Sequence, residues 1–206
     1  MELAREIYDF GAHAGSLEGY VYGWINVDPE YLPGWSQNLV KEYQALPEKV
    51  MAEIQPALDG TLGRAVGTIV RQLGEDHVVV KNLMGMIKGK LPLSPDDFSR
   101  VGEVRPGSYR ELYEFAANAG AFEGYVYIPE RADYKKLSPW VENLVRQFRA
   151  FPPDVAGAIQ SSCNMTLGRA LQSLRRFLDD EDRMIVSLRS IIKGDIPSSP
   201  QAFVKH

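Results

Sequence analysis

The chain repeats itself: the segment from Arg5 to Val101 recurs from Arg110 to His206 at a constant offset of 105 residues, without a gap. Arg5-Glu6-Ile7-Tyr8-Asp9-Phe10 returns as Arg110-Glu111-Leu112-Tyr113-Glu114-Phe115. Glu18-Gly19-Tyr20-Val21-Tyr22 returns unchanged as Glu123 to Tyr127, and Thr61-Leu62-Gly63-Arg64-Ala65 as Thr166 to Ala170. Self-similarity of this length constrains architecture before any other argument, because both copies should adopt one fold. The expected division is a first helical repeat over residues 1–101, a linker over 102–109 and a second helical repeat over 110–206. Each repeat, at roughly 100 residues, is long enough to bury a core. The linker is short, so the two copies should touch rather than tumble independently.

Along the first copy, Leu3, Ile7, Phe10, Ala14, Leu17, Val21 and Trp24 alternate spacings of four and three, the stripe of one amphipathic helix. Tyr20-Val21-Tyr22 and Tyr125-Val126-Tyr127-Ile128 carry strand-favouring residues, but the periodicity predicts helix to about Tyr22. Ser138-Pro139 predicts the start of a second helix, with Ser138 as cap and Pro139 in the first turn. Pro47 and Pro152 stop it and turn the chain into a third helix. Pro56, with Asp59 and Asn164 as candidate new caps, predicts a break in that third helix near residues 56 to 60. A fourth helix is expected from the acidic residues at Glu75-Asp76 and Asp179 to Asp182, closing at Lys88-Gly89 and Lys193-Gly194. Ser94 to Phe98 and Ser199 to Phe203 read as capped single turns. The expectation is an all-α fold: a tandem duplication of an approximately four-helix unit, packed about a pseudo-twofold axis with the first helix of each copy beside it.

A hydrophobic content of 45% with 24% charged residues belongs to a globular protein rather than a disordered one. The net charge of −4 argues against a nucleic-acid partner. The arginines at 146, 149, 175, 176, 183 and 189 are mostly not repeated in the first copy, so they read as a solvated face. No stretch approaches the ~20 apolar residues of a membrane span, and the N-terminal residues lack an apolar core of signal-peptide length, so a cytoplasmic location is expected. The one cysteine, Cys163, stands where the first copy has Leu58, which reads as a small core residue and not a nucleophile.

Two glycines in each first helix, Gly15 and Gly19 with Gly120 and Gly124, need a reason, because glycine inside a helix costs up to about 1 kcal/mol relative to alanine. The preferred reading is a seam where the twin helices approach closely. The alternative is a shallow groove in which a ligand lies beside Tyr20, Tyr22, Tyr125 and Tyr127. Glu18 and Glu123 flank the seam, and either an ion pair with Arg64 and Arg169 or acid–base chemistry would explain them. Thr61 to Arg64, and Thr166 to Arg169, would form an anion cradle if the third helix restarted there. Three histidines without a repeated partner argue against a metal site, and no cofactor is implied. The function expected is a non-enzymatic interaction or regulatory protein. The alternative is a small-molecule binding protein using the tyrosine and glutamate groove, and an enzyme using Glu18 or Glu123 ranks third. A protein partner or a small molecule is expected, with no nucleic acid and no membrane, and the chain itself as a monomeric pseudo-dimer.

Overall fold

The computed structural model describes residues 3–89, 106–128 and 132–194. Among the described residues every regular element is helical: α1 Ala4–Val21, α2 Leu32–Ala45, α3 Glu48–Leu73, α4 Val78–Met84, α5 Tyr109–Tyr127, α6 Tyr134–Ala150, α7 Pro153–Leu174 and α8 Arg183–Arg189. No described helix is long and apolar enough to cross a membrane.

The stripe read from the sequence is the buried face of α1, where Ile7, Phe10, Ala14, Leu17 and Val21 are almost completely covered. The strand-favouring residues at its end do not pair into a sheet. Gly23, Trp24 and Asn26 instead take left-handed backbone angles (φ +69°, +55° and +54°), turning the chain through a short 3₁₀ segment, Tyr22–Trp24. In the second copy α5 starts at a built cap: Ser108 Oγ accepts from the Glu111 N–H at 3.1 Å, and the Glu111 carboxylate accepts from the Gly107 N–H at 2.6 Å.

Three helix boundaries differ from the sequence expectation. α3 runs unbroken through Pro56, and α7 is equally continuous. Pro56 and Ala52 are both on the exposed side of α3, so the carbonyl that loses its intrahelical partner faces water and the helix persists. Asp59 and Asn164 do not cap a new helix. Asp59 Oδ1 accepts from Gln55 Nε2 (2.7 Å) and from the Lys88 N–H (2.9 Å). Asn164 Oδ1 does the same for Gln160 Nε2 (2.7 Å) and the Lys193 N–H (2.9 Å), so both residues tie the long helix to the chain after the short fourth one. α6 begins at Tyr134 rather than Ser138, because Asp133 accepts from the Lys135 N–H at 3.2 Å and caps it earlier. α4 and α8 are only seven residues each; His77 caps α4 instead of the acidic pair before it, whereas Asp182, the last residue of the acidic run, caps α8. The single turns expected at Ser94 to Phe98 and Ser199 to Phe203 lie outside the described residues.

α1 and α5 form the centre, and α3 and α7 each pack against both of them. α2 with α4, and α6 with α8, form the outer layers. Contacts along the central pair advance together, Gly15 meeting Ala117 and Gly19 meeting Ala121, so α1 and α5 run parallel.

Candidate functional site

The central seam is backbone against backbone. A Cβ placed on Gly15 would lie 1.9 Å from the Ala117 carbonyl oxygen, and one on Gly120 would lie 2.0 Å from that of Ala12. Gly19 and Gly124 repeat the arrangement at 2.2 Å from the Ala121 oxygen and 2.3 Å from the Ser16 oxygen. Since even a methyl group does not fit, no ligand lies between these backbones. Position 11 meets its own counterpart, with a Gly11 Cβ 2.9 Å from the Ala116 Cβ.

Aromatic rings pack along and beyond the seam in crossed pairs. Tyr8 lies against Phe115, and Phe10 against Tyr113, at 6.0 and 5.9 Å between centroids. At the C-terminal ends Tyr20 meets Tyr127 (6.0 Å) and Tyr22 meets Tyr125 (5.7 Å), both edge-on. The hydroxyls of Tyr20 and Tyr125 accept the N–H groups of Asp28 (2.9 Å) and Asp133 (3.0 Å), pinning the loops that follow. The four tyrosines thus stack on one another and hold loops, and of them only Tyr22 is broadly exposed.

Glu18 and Glu123 are each bonded to their own arginine rather than to each other. Arg64 Nε and Nη2 donate to the two oxygens of Glu18, the second at 3.1 Å, and Arg169 engages Glu123 in the same fork, the second bond at 3.3 Å. The surroundings differ. The Glu123 and Arg169 side chains are 2% and 11% exposed, whereas Glu18 and Arg64 are 17% and 42% exposed. Ser16 Oγ also donates to Glu123 at 3.1 Å across the seam, while its counterpart beside Glu18 is Ala121, which has no hydroxyl.

Burial pushes both carboxyls above their ordinary value, with the arginines pulling back. As pH rises past 4.5 the unfolded chain therefore loses its proton before buried Glu123 does. This group's contribution to stability falls from there up to its raised value and is level beyond it.

A cleft of about 430 Å³ opens beside the first pair. Pro56, Ala57, Gly60, Thr61 and Arg64 of α3 line one side, and Tyr113, Glu114, Ala117, Asn118 and Ala121 of α5 the other, with Glu18 and Trp140 completing it. The Trp140 indole is held in place, its Nε1–H donating to Asn118 Oδ1 at 2.7 Å and its ring packing edge-on to Phe122. Tyr113 is fully buried, yet its hydroxyl has no hydrogen-bond partner of normal geometry. The neighbouring Thr61 hydroxyl gives its own proton to the Ala57 carbonyl at 3.1 Å. A buried hydroxyl left in that state costs about 1–3 kcal/mol. Tyr8, the counterpart of Tyr113, likewise makes no hydrogen bond of normal geometry, with Cys163 and Thr166 beside its hydroxyl.

Gly60 is replaced by Met165 at the equivalent position of the second copy, so the small residue that borders the cleft has a bulky, 44% exposed counterpart on α7. Tyr113, Trp140 and Gly60 were not singled out as a group from the sequence. The one available signal was this glycine-to-methionine difference between otherwise matching segments.

The other candidates serve structure. Thr61 and Thr166 donate to carbonyls one turn back, at 3.1 Å each, and the N–H groups around them belong to continuous helices, so the anion cradle is not formed. Gly63 and Gly168 are buried in α3 and α7. Asn143 is half-buried and accepts from Arg146 at the surface. Cys163 is fully buried and its thiol is pushed up to about 12 by burial, which leaves no thiolate for nucleophilic chemistry. His13 pairs with Glu42 at 2.7 Å, and His77 caps α4. Among the described residues no group of three or more His, Cys, Asp or Glu side chains is placed to hold a metal ion. No protein-family model, curated protein or solved structure matches the chain.

Proposed function

We propose that the chain is a non-enzymatic small-molecule binding protein, built as a fused pseudo-dimer, that takes its ligand in the cleft beside Glu18 and Arg64. The reading is carried by that cleft, about 430 Å³ in volume, in which a forked carboxylate–guanidinium pair and a buried hydroxyl with no hydrogen bond of normal geometry converge. The pseudo-twofold arrangement is supported by the reciprocal contacts of the seam, Gly15 on Ala117 and Gly120 on Ala12, which connect equivalent residues in both directions. A seam already satisfied within one chain leaves the protein monomeric. The ligand does not lie in the tyrosine groove between the copies, because the seam has no room for it. It lies one helix away, between α3 and α5.

Native mass spectrometry of freshly purified protein tests this. The expected result is a monomer carrying one small molecule that is lost on denaturation, and Gly60→Met, which copies the second half of the chain, should lack it. A bare chain throughout, or an adduct kept by Gly60→Met, would sink the reading. A protein partner is the second reading. It is favoured by Tyr22, Ile25 and Tyr31, which are 61%, 45% and 50% exposed in the segment after α1.

A further inference from the structure

The chemistry lining the cleft restricts what it can hold. Its charges are already balanced inside the protein: Glu18 is forked onto Arg64, and Glu114 accepts from Arg110 Nε at 2.8 Å. A cation reaching Glu18 meets the guanidinium that neutralises it, and an anion reaching Arg64 meets two carboxylates. A net charge on the ligand is therefore opposed in either direction.

Hydrogen bonding, by contrast, is incomplete. A carboxylate can accept about four hydrogen bonds, and Arg64 supplies two to Glu18. The Tyr113 hydroxyl lies beside Thr61 but makes no hydrogen bond of normal geometry. Glu18 thus asks for an N–H donor, and Tyr113 offers a donor that needs an acceptor. The walls between them are small or flat: Ala57, Gly60, Ala117 and Ala121 carry little or no side chain, and Trp140 contributes an indole fixed by Asn118. Bare walls beside an immobile aromatic suit a thin, rigid molecule better than a branched one.

We propose that the cleft binds a planar, uncharged molecule that carries both an N–H donor, for Glu18, and a carbonyl acceptor, for Tyr113, on an aromatic or conjugated ring packed near Trp140. This rests on the ligand-binding reading above and specifies its ligand class.

Benzamide, benzoate and benzamidine share one ring and one size, and differ in carrying no charge, a negative charge or a positive charge. Titration of each into the intact protein, followed by tryptophan fluorescence and by melting temperature, isolates the charge preference. Benzamide should bind saturably and raise the melting temperature, with the two charged probes weaker by roughly tenfold or more. Trp140→Phe should remove most of the fluorescence change while keeping the thermal shift. Tyr113→Phe, which deletes only a hydroxyl and keeps the ring, should weaken benzamide selectively, with an unchanged melting temperature for the free protein showing that the fold is kept. Benzoate or benzamidine binding as well as benzamide, or an unaltered benzamide affinity in Tyr113→Phe, would overturn the ligand class while leaving the cleft a binding site. Failure of all three probes to bind would overturn the cleft itself.

Discussion

Glu18 with Arg64 and Glu123 with Arg169 are the same pair twice, with the same forked bonds and the same sequence separation, yet one borders a cleft and the other is sealed. What differs is the covering. Ser16 donates across the seam to Glu123 where Ala121 offers Glu18 nothing, and Met165 stands where the open side has Gly60. A repeated scaffold therefore need not repeat its surface. The glycines of both copies make the same kind of close backbone contact, while the side chains beside them differ where one charge pair is sealed and the other borders a cleft.

The largest effect should come from removing one partner of the sealed pair. Glu123→Ala leaves Arg169 buried without its counter-charge and should cost about 3–5 kcal/mol in chemical denaturation. Glu18→Ala, whose partner Arg64 keeps access to water, should cost less, about 1–2 kcal/mol. Equal losses would break the comparison by showing that exposure does not distinguish the pairs.

The seam should behave in the opposite, even-handed way. Gly15→Ala and Gly120→Ala each drive a methyl group onto a facing carbonyl, and each should lose about 1–3 kcal/mol. A large loss at one glycine and none at the other would mean that the halves do not share the seam equally.

The smallest effect concerns a pair that titrates in only one copy. His13 bonds Glu42 at 2.7 Å, whereas the equivalent Asn118 and Gln147 meet at 3.3 Å with no proton to lose. Burial works against the His13 charge, but the Glu42 bond and the charges of Glu42, Asp9 and Glu123 outweigh it and raise its pKa above 6.5. With the folded value raised, the stabilisation is present below 6.5 and is lost as pH rises through that folded value. Denaturation midpoints measured across that range should fall for the parent protein and flatten for His13→Asn. An unchanged slope in the variant would assign the pH dependence elsewhere.

The elements that could be read from the sequence are those whose cause is local. The stripe of α1 follows from spacings of three and four, and the glycines of α1 and α5 were conspicuous because a helix interior otherwise excludes them. The two glutamates could be matched with the two arginines because both pairs recur in the repeat. The misread boundaries have tertiary causes. Pro56 leaves α3 continuous because the affected turn faces water, and α6 starts early because Asp133 sits in a loop pinned by the Tyr125 hydroxyl. The cleft could not be read at all: Tyr113, Gly60 and Trp140 lie on three helices, and only packing brings them together.

Arginine modification in the native protein tests the central asymmetry most directly, since Arg64 and Arg169 make the same bonds and differ in cover. With phenylglyoxal and peptide mapping, Arg64 should react rapidly, and benzamide should protect it. Arg169 should react only through local opening, far more slowly and without regard to benzamide. Equal rates at the two arginines, or faster reaction at Arg169, would contradict the division into one open and one sealed pair.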